Sequence, residues 1–278
     1  KTLRRALAPD GRLPLTLIVL DEVQQYIGGS SERSIAVQEM VESITKNIGG
    51  KLMFVGTGQT AVTGTANLAR LQGRFTVRVE LSDADVDAVI RKVVLAKKAE
   101  FQTPLEDLMR NNMGEISRHL AGTAFAFRER DRDAFPRDYP VLPVRRRFWE
   151  NVLRVLDVTG TDSQLRNQLS MVHKAIQSNL DAPLGCVVPA DYLYFDSADK
   201  MLQTRILPRK LYEQTMTWRK GSEDERLKAR ACALVFLVNK LNSVNHDVGI
   251  KANADALADL LVEVLSQGSA SLRAKLPS

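Results

Sequence analysis

The sequence is poor in the residue types that build disulfide frameworks, metal centres and base-stacking surfaces. Its 278 residues include 2 cysteines and 3 histidines. Cys186 and Cys232 stand far apart without the spacing of metal ligands, so neither a disulfide framework nor a zinc site is expected, and a reducing, cytoplasmic location is favoured. Aromatic residues make up 6% of the chain, which argues against a stacking platform for single-stranded nucleic acid.

The sequence also lacks an apolar run long enough to cross a bilayer. Its longest apolar runs, 15–20 and 231–238, fall well short of the roughly 20 residues that a transmembrane helix needs. No membrane association is therefore expected. The formal net charge is +6, and a basic surface of this size is compatible both with DNA contact and with simple solubility.

The first 81 residues alternate between strand-like and helix-like patterns. The apolar run 15–20 ends at Asp21 and Glu22, which predicts a strand buried on both faces, as in a parallel sheet. This alternation of strand-like and helix-like segments predicts the fold class α/β for 1–81, as part of a doubly wound core. The later elements are predicted as a helix over 34–46, a strand over 52–55, a short helix over 66–71 and a strand over 76–81.

The pattern becomes helical at Ser82. Ser82 resembles the first residue of a capping box, Pro104 follows Thr103 at a second helix start, and Gly114 opens a third helix that is expected to reach about Phe127. These signals predict a helical lid subdomain over 82–127.

A charged, proline-bearing connection over 128–143 is expected to separate this lid from a mainly helical domain over 128–278. Asn253 is predicted to cap a further helix near the end of the chain, and a helix-turn-helix or winged-helix-like unit is one interpretation of that last stretch. The other helices are predicted over 144–157, 162–179, 208–219 and 223–242.

Two adjacent carboxylates carry the strongest chemical signal. Phosphoryl transfer from ATP needs an acidic anchor for magnesium and a base for the attacking water. Asp21, at the end of an apolar strand, suits the metal role through water, and Glu22 suits the role of the base. The alternative interpretation is a strand that ends in two solvated acids.

The order of the following segments resembles that of the AAA+ P-loop ATPases. Thr57 and Gln59 follow the next strand, where this family carries the polar sensor 1 residue. Arg74, in an Arg-Phe pair before the last core strand, resembles the arginine finger that serves a neighbouring subunit. Arg118 resembles sensor 2 but stands one place later than in the family's Gly-acid-x-Arg pattern, so a structural role stays open. The alternatives are a glycine turn for Thr57 and Gln59 and a surface arginine for Arg74.

The phosphate-binding loop of that family is missing from the sequence. No Gly-x-x-x-x-Gly-Lys-Ser/Thr motif occurs, and the AAA+ order places it before the Asp21-Glu22 strand. The chain is therefore expected to be a fragment whose phosphate loop lies upstream of Lys1. The resemblance implies ATP and Mg²⁺ as cofactors of the longer protein, and the fragment alone is expected neither to bind them nor to hydrolyse ATP.

A closer resemblance is to the P-loop ATPases of BREX phage-defence systems, the BrxC/PglY family. It implies an ATPase that couples ATP binding and hydrolysis to the assembly or remodelling of a DNA-modifying defence complex. The implied partners are other BREX components, including a DNA methyltransferase, further copies of the parent protein, and DNA contacted directly or indirectly. The segments that carry the resemblance are 20–27, 54–59, 70–75, 114–120, 138–150 and 164–169.

Two other functions fit parts of the sequence. A non-catalytic AAA+-like adaptor or DNA-docking scaffold needs no base, so the Asp21-Glu22 pair favours the ATPase. A transcription regulator needs a recognition helix rich in Arg, Lys, Asn or Gln, whereas the helix after Asn253 is rich in Ala and Leu and carries acids.

Three consecutive arginines, 145–147, form the most basic cluster in the sequence. Adjacent residues on a helix point about 100° apart, so the three side chains cannot all face one phosphate backbone. Pairing with Asp138, Glu150 or Asp157 in a partly buried joint is therefore predicted, and a DNA-phosphate patch is the alternative.

Overall fold

The computed structural model describes residues 14–47, 51–58, 71, 73–79, 88–156, 165–244 and 248–276. The chain divides into two compact units, Lys1–Glu80 and Leu81–Ser278. Within these described ranges, the helices are all too short or too polar to span a membrane.

The first unit contains one β–α–β arrangement. Strand β1 (Thr16–Leu20) pairs in parallel with β2 (Leu52–Gly56), with Thr16 opposite Leu52 and Leu20 opposite Gly56. The short helix α1 (Val23–Ile27) and the longer α2 (Ser31–Asn47) connect the two strands.

One face of this sheet carries the core of the unit. Leu20 and Phe54 pack against buried side chains of α1 and α2, whereas Leu17 and Val19 on the other face of β1 are 60% and 52% exposed. The prediction of a strand buried on both faces is therefore wrong for β1. The physical reason is that the described helices cover a single face. The buried core residues are Val23, Ile27, Val37, Val41 and Leu71.

The predicted third strand does not form over the residues that the structure describes. Residues 76–79 have no strand conformation, and Val77 and Val79 are 77% and 82% exposed. Within the described ranges the sheet has two strands, so a complete α/β core is not observed. The predicted helix over 66–71 lies, apart from Leu71, outside the described residues.

The second unit is helical. It begins in the described ranges with a π-helical turn, Ile90–Val94, and a 3-10 turn, Ala99–Phe101. Its α-helices are α3 (Gln102–Asn111), α4 (Met113–Arg118), α5 (Asp131–Asp138), α6 (Pro143–Leu156), α7 (Leu165–Gln177), α8 (Tyr192–Gln203), α9 (Arg209–Trp218), α10 (Glu223–Val244), α11 (Ala254–Leu261) and α12 (Ala270–Lys275).

The helical C-terminal region was predicted from the sequence and is confirmed. Helices α6, α7, α9 and α10 lie where apolar periodicity predicted helices. The predicted cap is also present, because the side chain of Asn253 accepts a hydrogen bond from the backbone N–H of Ala256 at 3.0 Å. Between Ile250 and Leu276 the chain forms helices and no strand pair, so the winged-helix interpretation is wrong for these described residues.

Two other predicted features of the second unit differ from the structure. The connection over 128–143, predicted as a domain boundary, contains helix α5, in which Phe135 and Asp138 are buried, so it is a packed element of the second unit. The helix that opens near Gly114 ends at Arg118, because Leu120 takes a left-handed conformation (φ 53°). Asp259 fixes this reversal by accepting the backbone N–H of Leu120 at 3.1 Å.

The core of the second unit forms where α6 packs on α10. Phe148 and Trp149 of α6 are buried together with Leu237 and Leu241 of α10. The indole N–H of Trp149 donates to the carbonyl of Ala190 at 2.8 Å, which satisfies its polar group inside the core. Helix α6 is amphipathic, and its apolar face packs on the middle of α10, which is apolar on several sides.

Candidate functional site

The carboxyl ends of β1 and β2 lie side by side and carry the predicted acids. The backbone N–H of Thr57 donates to the carbonyl of Leu20 at 2.9 Å, and the N–H of Val23 donates to the carbonyl of Thr57 at 3.0 Å. These bonds extend the parallel pairing past the strand ends. In open α/β sheets, this edge is where ligands bind.

The hydroxyl of Thr57 joins the two strand ends. It donates a hydrogen bond to Oδ1 of Asp21 and accepts the backbone N–H of Glu22 at 3.1 Å. Thr57 thus contacts two other predicted site residues, Asp21 and Glu22, which lie 36 and 35 positions earlier in the sequence.

Glu22 has an unusual backbone conformation. Its φ of 51° and ψ of 46° place it in the left-handed region at the start of α1, which is uncommon for a residue other than glycine and is found preferentially at functional sites. Its carboxylate accepts a hydrogen bond from the side-chain amide of Gln25. The strand end therefore holds Glu22 in a defined position beside Thr57.

Gly56 leaves the space that this arrangement needs. A Cβ atom at position 56 would lie 3.1 Å from Cζ of Phe75, closer than side chains normally approach. Glycine therefore allows the ring of Phe75 to pack directly on the last residue of β2. The tight packing sets the position of Thr57, the next residue.

The donor atoms at this corner are all oxygens. Asp21 is exposed and Glu22 is partly exposed, so both carboxylates are accessible to solvent. Oxygen ligands that contact a hydrated ion are what Mg²⁺ prefers in proteins. The residues present therefore fit a magnesium ion held through water by Asp21.

Arg74 lies in the same unit and pairs with an acid of its own chain. Its Nη2 is 3.1 Å from Oε1 of Glu42 on α2, and both side chains are well exposed. Its backbone N–H donates to the carbonyl of Leu71 at 3.0 Å. The predicted sensor residue Gln59 lies outside the described residues.

Arg118 belongs to the second unit, where it bridges three elements. Its guanidinium donates to Glu115 at 2.5 Å, to the hydroxyl of Ser269 at 2.7 Å and to Asp259 at 3.5 Å. These contacts connect α4 to α11 and to the start of α12. They support the structural role that the sequence had left open for Arg118.

The same network contains a buried histidine that the sequence did not single out. Nε2 of His119 lies 3.0 Å from Oε1 of Glu115, and burial lowers the pKa of His119. The hydrogen bond with His119 and the ion pair with Arg118 hold the pKa of Glu115 well below its usual range. The spacing of Glu115 and His119, four residues apart on one helix face, was the available signal, whereas nothing in the sequence pointed to Asp259.

Glu115, His119 and Asp259 together have the spacing of a metal site, with ligand atoms within 4.8 Å of one another. Oδ1 of Asp259, however, accepts hydrogen bonds from Arg118 and from Arg273 at 3.5 Å each. The guanidinium groups of Arg118 and Arg273 thus already supply the positive charge that a metal ion would bring to Asp259. The cluster is an ion-pair network that fixes helices.

The three arginines at 145–147 are also structural. Arg146 pairs with Asp138 at 2.8 Å, and Arg147 pairs with Asp131 at 2.7 Å. Arg145 donates to the carbonyl of Val188 at 2.6 Å and to that of Asp259. The predicted pairing with acids is confirmed for Asp138, and Arg146 also contacts Glu150 at 3.4 Å. Asp157 lies outside the described residues.

No known protein family matches the chain, and no solved structure matches it.

Proposed function

We propose that the corner formed by Asp21, Glu22 and Thr57 is part of the ATP-hydrolysing site of an AAA+-type ATPase. The observation that carries this proposal is the contact between the Thr57 hydroxyl and the Asp21 carboxylate at the carboxyl ends of two adjacent parallel strands. A strand-end acid pair beside a polar residue on the next strand can hold a metal ion and orient a water, the positioning on which phosphoryl transfer depends.

Each residue at the corner has a distinct role in this proposal. Bound ATP and Mg²⁺ supply the phosphoanhydride and the charge that neutralises it. Asp21 holds the ion through water, with its carboxylate oriented by Thr57. Glu22 accepts the proton of the attacking water, and its left-handed backbone, fixed by the hydrogen bond to Thr57, directs the carboxylate. Gln59 assists Thr57 in orienting this water.

Two arginines complete the proposed catalytic set. Arg74 acts in trans on the nucleotide of a neighbouring copy of the parent protein, and it exchanges its exposed pair with Glu42 for the γ-phosphate of that neighbour. A salt bridge this exposed contributes little stability, so breaking it costs little free energy. Arg118 senses nucleotide in this proposal only after it has left its contacts with Glu115 and Asp259.

The cellular role that we propose rests on the resemblance to the BREX ATPases. In this proposal the chain is part of a longer cytoplasmic ATPase that works with a DNA methyltransferase and other defence components. ATP turnover remodels or assembles that complex on DNA. Arg146 and Arg147 are engaged with Asp138 and Asp131, so this proposal does not assign DNA contact to them.

The decisive experiment is Glu22→Gln in a longer protein that includes the upstream phosphate loop. This change removes the base but keeps the size of the side chain, so ATP hydrolysis is expected to fall to background while ATP binding is retained. Glu32→Gln on the exposed surface of α2 is the matched control and should leave both unchanged.

Two results would contradict the proposal. Retained hydrolysis in the Glu22→Gln protein would exclude Glu22 as the base and favour a non-catalytic adaptor. Loss of ATP binding together with hydrolysis would show that Glu22 has a structural role. For the chain as given, calorimetry should detect no magnesium-dependent, micromolar binding of ATP, because the loop that supplies most phosphate contacts is absent from the sequence.

A further inference from the structure

The second unit contains a cavity of about 900 Å³. It opens between the start of α8, the turn that joins α9 to α10, and the segment that follows α11. This volume lies in the range of small-ligand sites in proteins. The apolar and aromatic part of its wall consists of Val188, Tyr192, Phe195, Leu227, Leu261, Val264 and Leu272.

Two of the acids on the wall are neutralised by one arginine. Arg230 donates to both oxygens of Asp191, at 2.9 and 3.2 Å, and to Glu263 at 2.9 Å. Asp191 is buried, and Arg230 is largely buried beside it. The ion pairs among these three residues hold this part of the cavity wall together.

The other two acids on the wall are paired as well. Glu223 accepts from Nζ of Lys275 at 3.0 Å, and Asp196 accepts from Nζ of Lys174 at 3.1 Å. Each of the four carboxylates that line the cavity is therefore engaged with a basic side chain.

Arg219 and Arg226 are the other two arginines on the wall, and the charge of Arg226 adds to that of Lys275 in lowering the pKa of Glu223. The guanidinium of Arg219 stacks 4.4 Å from the ring centroid of Phe195, and that of Arg226 donates to the carbonyl of Gly221 at 2.8 Å. In the part of the chain that the structure describes, neither of them forms a salt bridge. Both side chains are exposed and can still donate to an anion.

We propose that this cavity binds a small phosphate monoester that carries a flat or apolar body. A phosphate monoester has a charge of roughly −1.5 to −2 at neutral pH, which suits the two guanidinium groups of Arg219 and Arg226, neither of which forms a salt bridge among the described residues. The forked donors of arginine suit phosphate oxygens. The body of the ligand packs on Tyr192, Leu227 and Leu272. The site lies wholly in the second unit and does not depend on the proposed ATPase site.

The experiment is a calorimetric titration of the full chain with adenosine 5′-monophosphate as the probe, in EDTA so that no divalent ion takes part. Adenosine has the same body without the anion, and inorganic phosphate has the anion without the body. Saturable binding of the monophosphate is expected, with each partial probe at least about tenfold weaker, because a charge-assisted hydrogen bond contributes a factor of that order. Adenosine 5′-carboxylic acid tests whether the site needs phosphate.

Paired variants locate the binding. Arg219→Gln with Arg226→Gln keeps the length of both side chains nearly unchanged and removes two charges, so affinity should fall at least about tenfold. Lys210→Ala with Lys228→Ala removes the same charge from exposed positions outside the cavity and should leave affinity unchanged. Thermal melts establish that each variant is folded.

The proposal is overturned if the monophosphate does not bind, or if both variant pairs bind it equally well. It is also overturned if adenosine or the 5′-carboxylic acid binds as tightly as the monophosphate. The comparison among these probes needs only the unmodified chain, so it decides the matter even where the arginine variants do not fold.

Discussion

The carboxylate of Asp138 is fully buried and accepts a hydrogen bond from Nη1 of Arg146 at 2.8 Å. Arg91, in the π-helical turn, donates to the two oxygens of the same carboxylate at 2.6 and 2.8 Å. One buried acid therefore joins three elements of the second unit, namely the π-helical turn, α5 and α6. The ion pairs of Asp138 with Arg91 and Arg146 hold these elements together.

We expect Asp138→Asn to destabilise the protein strongly. The change removes the carboxylate that Arg91 and Arg146 share, and Arg146 is almost fully buried, with Glu150 at 3.4 Å as its other acidic contact. Removing one partner of a buried ion pair costs about 3–5 kcal/mol. Urea denaturation followed by circular dichroism measures this loss. Asp133→Asn, at an exposed position of the same helix, is the control, and equal midpoints for the two variants would refute the expectation.

We expect Arg147→Ala to lower stability without changing DNA affinity. Arg147 donates to both carboxylate oxygens of Asp131 and to the carbonyls of Phe125 and Ala126, so its loss leaves a buried acid unpaired at a cost of about 3 kcal/mol. Melting temperature and a salt titration of DNA binding provide the two readouts. The exposed Arg132→Ala serves as the control.

The opposite pattern would change the interpretation of the arginine cluster. If Arg147→Ala leaves the melting temperature unchanged and removes a salt-sensitive component of DNA binding, Arg147 contacts phosphate. That result would strengthen the DNA-docking alternative to the ATPase.

We expect His119 to make the second unit sensitive to mild acid. Burial lowers the pKa of His119 in the folded protein, and the neighbouring charge of Arg145 acts in the same direction, against Glu115 and Asp259. The unfolded chain has a histidine pKa of about 6.5, so below this pH it binds more protons than the folded chain. The free energy of unfolding should therefore decrease as the pH falls below about 6.5.

His119→Gln should reduce this pH dependence. Glutamine retains a donor for Glu115 but does not titrate, so the loss of stability between about pH 6.5 and pH 5 should be less steep than in the unmodified protein. His173→Gln, at an exposed position of α7, is the control and should retain the original profile. Parallel profiles for His119→Gln and the unmodified protein would show that His119 does not carry the effect.

We expect Thr57→Val to release the strand-end corner while Thr57→Ser preserves it. Valine keeps the shape of threonine but removes the hydroxyl that accepts the N–H of Glu22 and donates to Asp21. An intramolecular hydrogen bond of this kind contributes about 1 kcal/mol. Hydrogen exchange of the Glu22 amide should accelerate roughly fivefold in Thr57→Val, since 1.4 kcal/mol corresponds to a factor of ten. Unchanged exchange in Thr57→Val would mean that another acceptor protects this amide.

The sequence determined the features that depend on local pattern. Helices α6 and α10 lie close to their predicted bounds, and Asn253 acts as the predicted cap because its side chain bonds a backbone N–H only three residues away. Strands β1 and β2 also lie where strands were predicted. These features depend on short segments, whereas the contact between Asp21 and Thr57 across 36 positions was not predicted.

The tertiary structure decided which charged groups are fully buried and which distant partners they have. Pairing of the arginines at 145–147 with Asp138 in a partly buried joint was predicted, but the complete burial of Asp138 and its second partner Arg91, 47 residues away in sequence, were not. Arg118 and Asp259 meet across 141 positions, and no local pattern encodes such a contact. A charged side chain is stable inside a protein only when other charges or hydrogen-bond partners compensate for its lost hydration. Its burial therefore depends on the packing of distant helices, which composition and periodicity do not specify.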